Sequence, residues 1–156
     1  MKLVDLIKEE NVFLDYKAPD KWKAIEGLLD QLIVRGRVKT EQREAFLKAL
    51  VARENVASTG MDHGVALPHA QVDGLEDAVA AFATSPGIPF QSSDGKPSRI
   101  IVLLIIPKKS VQKHVRTLAG IARLLNYEEM REALVAAKSA REVTDIIRDE
   151  EAKEFA

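Results

Sequence analysis

Apolar residues recur at helical spacing near both ends of the chain and at strand spacing in the middle. Leu3, Leu6 and Ile7 fall on one face of a short first helix, and Val12-Phe13-Leu14 reads as a brief strand before the turn residues Pro19 and Asp20. Trp22, Ile25, Leu28, Leu29, Leu32 and Ile33 then repeat with a helical period, which predicts a helix that stops at Gly36, a residue suited to the left-handed position after a last turn. Thr40 is the expected N-cap of a third helix. Glu41 stands in its first turn, Ala45, Phe46, Ala49 and Leu50 on its apolar side, and it runs towards Arg53.

From Ser58 to Pro107 the pattern changes to short β-type runs, Gly64 to Leu67, Ala78 to Thr84 and Arg99 to Ile106, separated by Gly, Pro and Asp clusters. The last run, "IIVLLII", is apolar at both alternating sets of positions, which predicts a central strand covered on both faces. Ser110 is then placed to cap a helix whose stripe is His114, Leu118, Ile121 and Leu125. Met130 and Leu134 mark another helical stretch, and "SARE", Ser139 to Glu142, has the capping-box form that opens a last helix with Val143, Ile146 and Ile147. The expected fold is α/β: a single-domain mixed β-sheet flanked by helices on both faces, residues 1–149, followed by a solvated tail at 150–156.

Composition narrows the chemistry. A chain of 156 residues fits one domain and needs no covalent staple, and the absence of cysteine removes disulfide frameworks, thiolate catalysis and Cys-based metal sites. The 23 basic and 24 acidic residues are spread along the chain, so nucleic acid is not an expected partner. "MKLVDLIKEENV" lacks a signal-peptide core and no apolar run approaches membrane-spanning length, which suggests a soluble, cytoplasmic protein. Walker, G-x-S-x-G and H-E-x-x-H signatures are missing. No cofactor and no metal are expected.

The stretch that raises a functional question is "GMDHGVALPHAQ", in which an apolar run ends at Pro68 and the chain then presents His69. Proline cannot donate to a ladder, so His69 is expected to stand at a strand tip. A neutral imidazole, with an unperturbed pKa of ~6.5, is a good phosphoryl acceptor. Such a site wants hydroxyls, backbone N–H groups and a guanidinium around the transferred group, and Ser58, Thr59, Gly60, Gly64 and Arg53 are the local candidates. Each has a bland alternative: Arg53 as a solvated helix-end arginine, His114 as a core histidine, His63 as a solvated loop residue. A site in which the three histidines converge on a metal is the other chemistry on offer.

Two segments carry a resemblance. "RENVASTGMDHGVALPHA", Arg53 to Ala70, resembles the active-site segment of the type-2 enzyme IIA domains of the bacterial sugar phosphotransferase system, the fructose and mannitol family that includes the nitrogen-regulatory enzyme IIA proteins. "LIIPKKSVQKHVRTLAGIARLL", Leu104 to Leu125, resembles that family's strand, proline and His-x-x-x-Leu-Ala helix. The likeness implies a phosphotransferase whose His69 accepts a phosphoryl group from the phosphohistidine carrier HPr, or its nitrogen-system counterpart, through Nε2. It implies that His114 lies beside the phosphate, that Arg53, Ser58 and Thr59 contact it, and that enzyme IIB takes it onward. Any membrane association would be peripheral, through a permease partner. A second reading from the same family is a regulatory module whose phosphorylated and free forms bind different target proteins.

The chain departs from the family at Asp62, where Gly is common, and at His63, often Asn. Asp tolerates a left-handed backbone better than most residues, which is compatible with the family's loop geometry, and the Asp62 carboxylate is expected to point to solvent or fix a histidine tautomer. An apolar rim around His69 is expected, with Val65, Leu67 and the helix after Ser110 as nearby candidates for either rim or core.

Overall fold

In the computed structural model, which describes residues 2–154, the run "IIVLLII" lies in a ten-residue strand, Ser98–Pro107, at the middle of the sheet. Both of its alternating sets are buried. Ile100, Val102, Leu104 and Ile106 join one core, and Ile101, Leu103 and Ile105 the other, each below 4% exposed. Two apolar layers, one on each face, are what a continuous apolar strand requires.

Six strands form the sheet: β1 (Val12–Phe13), β2 (Gly60–Met61), β3 (Val65–Ala66), β4 (His69–Val72), β5 (Val79–Ile88) and β6 (Ser98–Pro107). Their order is β1-β5-β6-β3-β2, with β4 also on β6. The sheet is mixed, β5 antiparallel to β6, β3 and β4 parallel to it, and β2 antiparallel to β3. Helices α2 (Lys21–Val34) and α3 (Arg43–Val56) cover one face through Leu28, Leu32, Phe46 and Leu50. Helices α1 (Leu3–Leu6), α4 (Val111–Leu124), α5 (Glu128–Ala136) and α6 (Ala140–Glu154) cover the other through Leu6, Ile121, Leu134 and Val143.

Several element ends differ from expectation for local reasons. Thr40 opens a 3₁₀ turn, Thr40–Gln42, and α3 starts after it at Arg43. Ser110 ends a similar turn and makes no side-chain cap on α4. Gly36 does take the left-handed conformation after α2, with φ 74°. Residues from 150 onward, expected as a solvated tail, continue α6 as far as Glu154. Glu151 there is buried, and its carboxylate accepts the N–H groups of Leu3 (2.5 Å) and Val4 (3.2 Å), two donors that the start of α1 would otherwise leave unpaired. Phe155 and Ala156 lie outside the described residues.

Candidate functional site

Pro68 interrupts the strand without ending it. Val65 faces Ile100 on β6 and His69 faces Leu104, so β3 and β4 keep one register on either side of Leu67-Pro68. His69 is therefore the first residue of a resumed strand and not a projecting tip. The Pro68 carbonyl accepts the Leu104 N–H at 2.9 Å, while its own nitrogen has nothing to donate.

The His69 ring is half-buried, and its Nδ1 lies 2.8 Å from the carbonyl oxygen of Leu67. A carbonyl only accepts, so Nδ1 carries the proton, and in the neutral ring the lone pair is on Nε2. Ala70, next along, packs in the α2–α3 core, whereas Leu104, the strand partner of His69, packs with Ile121 and Leu124 of α4. Side chains alternate along a strand and cross-strand partners share a face, so His69 faces the α4 side.

His114 looks inward from α4 on that same side, 1% exposed, and its Nδ1 has no hydrogen-bond partner among the described residues. Burial, with the Lys113 charge beside it, holds its pKa below the ordinary imidazole value. No hydrogen bond joins the two rings. An orphaned buried nitrogen costs free energy unless something fills its place.

The turn from Ser58 to Gly60 is knitted into the protein instead of presenting free donors. The Ser58 hydroxyl donates to the Phe90 carbonyl and accepts the Gly60 N–H at 3.0 Å. Thr59 is buried, and both its N–H (2.8 Å) and its hydroxyl (2.5 Å) donate to the Glu54 carboxylate. Gly60 is required by packing, since a Cβ there would stand 2.4 Å from Ser92 Oγ and 2.8 Å from the Phe90 oxygen. Arg53, in the last turn of α3, is half-buried, and one of its guanidinium nitrogens donates to the Ala57 carbonyl at 2.8 Å.

Glu54 and Lys21 form a buried ion pair beside Thr59 that the sequence reading missed. The Lys21 ammonium is 3.2 Å from the Glu54 carboxylate and donates to the Gln91 side chain at 2.7 Å, and both charged side chains are at most 5% exposed. Their signal was their phase. Glu54 continues the buried series Phe46, Leu50, and Lys21 leads the series Ile25, Leu28, Leu32. Trp22, which the helical spacing put on the apolar face, is 37% exposed, displaced by Lys21, whose ammonium lies over its ring.

The departures at 62 and 63 are also resolved. His63, not Asp62, takes the left-handed backbone, with φ 69°, and Gly64 follows with φ 77°. The exposed Asp62 carboxylate accepts the Ser93 hydroxyl and turns towards the 91–97 loop. Asp94 accepts the N–H groups of His63 (2.9 Å) and Lys96 (3.0 Å), bonds that hold its carboxyl below the usual range. Among the described residues no cluster of three or more His, Asp or Glu side chains is placed to share a metal ion. A cavity of about 1130 Å³ between α1, α4 and α6, with Leu3, Arg116, Gly120 and Glu151 in its walls, does not include His69.

The structure thus gives a half-buried strand histidine with a fixed Nδ1–H, a buried helix histidine on the same side of the sheet and an arginine at the end of α3. Residues 5–150 match the family described as "Phosphoenolpyruvate-dependent sugar phosphotransferase system, EIIA 2". The chain belongs to this family. The fructose-specific EIIA component of Haloferax volcanii is 36% identical over 139 residues, covering 88% of this chain and 89% of that one. A nitrogen regulatory protein of Bradyrhizobium diazoefficiens is 30% identical over 149 residues, covering 94% and 95%. The crystal structure of nitrogen regulatory protein IIA-Ntr from Neisseria meningitidis superposes with a TM-score of 0.84 at 27% identity, covering 93% of this chain and 98% of that one. The fold is thus that of a type-2 EIIA, and phosphotransfer is its class of chemistry.

In this EIIA, Val65 and Leu67, candidates for rim or core, are core residues at 2% and 7% exposure. The apolar side chains that do reach the surface near the Ser58 turn are Trp22, Val56 and Met61. No helix among the described residues is long and apolar enough to cross a membrane.

Proposed function

We propose that His69 accepts a phosphoryl group on Nε2 from an HPr-type phosphohistidine, in the cytoplasm, and passes it to an enzyme IIB of the fructose or mannitol type. The observation that carries this reading is the bond from His69 Nδ1–H to the Leu67 carbonyl. It leaves the Nε2 lone pair as the nucleophile. As the Nε2–P bond forms, the donor's N–P bond breaks and its electron pair returns to the donor imidazole. The His69 ring then carries positive charge shared with Nδ1–H, so the bond to Leu67 becomes charge-assisted and is stronger in the transition state than in the free enzyme. Charge on the transferred group is spread over its three oxygens. Arg53 is assigned to meet them with the edge of its guanidinium not engaged by Ala57, and His114 with its unpartnered nitrogen. Ser58 and Thr59 shape the turn around the phosphate, their hydroxyls being engaged by Phe90 and Glu54.

A regulatory role, in which phosphorylation controls binding to target proteins, is the second reading. Its support is the near-complete two-way coverage with proteins named for nitrogen regulation. Both readings share the first step. Intact mass of wild type and His69→Ala after incubation with enzyme I, HPr and phosphoenolpyruvate tests it, with one acid-labile phosphate expected on wild type alone. Equal phosphate on the variant would reject His69. Discharge onto an added fructose-type enzyme IIB separates transport from regulation.

A further inference from the structure

We infer that the buried Lys21–Glu54 pair is the anchor that orients the His69 ring, acting through Thr59 and Leu67. The inference rests on His69 as phosphoryl acceptor and adds two positioning residues to it. A continuous path of contacts leads from the ion pair to the imidazole. The Glu54 carboxylate takes both donors of Thr59, N–H at 2.8 Å and hydroxyl at 2.5 Å. The Thr59 carbonyl accepts the Leu67 N–H at 3.1 Å, and the Leu67 carbonyl holds His69 Nδ1 at 2.8 Å. Thr59 and Leu67 are each 7% exposed, so water does not compete along the way.

Transmission along this path is geometric. The N–H and C=O of Thr59, and those of Leu67, belong to different peptide units, so no single amide is polarised from end to end. What passes is position. Two bonds fix Thr59, its carbonyl fixes the Leu67 backbone, and Pro68 stiffens the step from Leu67 to His69 with its locked φ. The carbonyl that selects the tautomer of His69 is thereby held in place.

Stability alone does not account for the pair. A buried ion pair loses so much hydration that a well-packed apolar pair of similar volume is often equally stable or more so. By helical phase an apolar pair belongs at these positions, since Lys21 and Glu54 stand in line with Ile25 and Leu50 of the α2–α3 core. An apolar pair would leave Thr59 without its acceptor. The ammonium also reaches Gln91, so the same anchor ties the Ser58 turn to the 90–92 loop that receives the Ser58 hydroxyl at Phe90.

The test is the double variant Lys21→Met/Glu54→Leu, in which neither charge is left alone. It is expected to fold with wild-type circular dichroism and to melt lower than wild type, since Thr59 loses the acceptor of both its donors, so transfer is compared below that transition. The His69 ring should lose its single Nδ1–H tautomer, read from ¹⁵N shifts of the imidazole. Phosphorylation by phospho-HPr should slow at least tenfold in kcat with KM for the donor little changed. A folded double variant with the wild-type tautomer and rate would overturn the inference. Should it fail to fold, Thr59→Val deletes one donor to Glu54 and leaves the ion pair intact. A tautomer shift in the same direction is then expected, and an unchanged ring would be equally fatal. The ¹⁵N readout needs no phosphate, so a wild type that never accepts phosphate would reject the functional assignment while the tautomer still decides the positioning role.

Discussion

His69 Nδ1 and the Leu67 carbonyl oxygen, two residues apart and 2.8 Å distant, form a bond that assigns the two ring nitrogens different tasks. The Leu67 carbonyl is free to make it because residue 67 faces away from β6. The carbonyls of Gly64 and Pro68 take the N–H groups of Ile100 and Leu104, whereas the Leu67 N–H goes to Thr59 on the other side.

The first prediction concerns the site of the phosphate. With Nδ1 holding a proton against Leu67, phosphorylation should produce the Nε2 isomer alone. Two-dimensional ¹H–¹⁵N correlation of the phosphorylated protein distinguishes the isomers, since the phosphorus coupling appears on the modified nitrogen. A coupling on Nδ1 would mean that the Leu67 bond is broken before transfer, and the proposed role of that carbonyl would fall.

His114 gives a prediction in pH. Its folded pKa is depressed, by burial first and by Lys113 second. Below the unfolded value of ~6.5 the unfolded chain binds a proton that the folded protein does not, so stability is full above that pH and falls as pH drops below it. Melting temperature should decline between pH 7.5 and 5.5, and His114→Gln should decline less over the same interval. Parallel curves would remove His114 as a source of acid sensitivity. In transfer, His114→Ala is expected to keep some phosphate acceptance while impairing the onward step, measured as discharge to an added enzyme IIB.

His63 should be replaceable with gain. A non-glycine residue at φ 69° bears a backbone penalty of about 1–2 kcal/mol, of which asparagine relieves part through local hydrogen bonding. Relief of about 0.5–1 kcal/mol corresponds to roughly 1–4 °C in a domain of this size. His63→Asn should therefore melt higher than wild type, and His63→Val lower. The reverse order would show that the His63 side chain contributes more than its backbone costs.

The layers were legible because they depend on local periodicity. "IIVLLII" announces a doubly covered strand, and the helices that cover it carry stripes that can be counted. Strand order and the existence of β4 were not legible. Pro68 reads as a terminator unless one knows that β6 continues alongside and restores the register beyond it. Candidate site residues stand out where a residue type is rare, as with His69 and His114, and escape notice where a common residue is buried out of its usual place. Lys21 and Glu54 look like ordinary helix charges until their phase is compared with the apolar series. Thr59 looks like a phosphate hydroxyl until its buried acceptor is known. Charge burial is a tertiary property, and only a charge standing in phase with an apolar series hints at it.

Arg53 is the residue whose contribution divides most clearly between folding and chemistry. One guanidinium nitrogen donates to the Ala57 carbonyl and closes the last turn of α3, a bond whose loss would cost about 0.5–1.5 kcal/mol. The remaining edge of the fork is assigned to the phosphoryl oxygens. Lysine keeps the charge, but its ammonium is a single point and cannot hold the carbonyl while presenting a planar pair of donors to phosphate. Arg53→Lys should therefore lower the melting temperature by only a few degrees and slow phosphoryl acceptance by roughly tenfold, about 1.4 kcal/mol in the barrier. The decisive comparison is the single-turnover rate at a temperature where both proteins are fully folded. A variant that transfers at the wild-type rate would reduce Arg53 to a cap on α3 and leave His114 as the remaining candidate for the phosphate's charge.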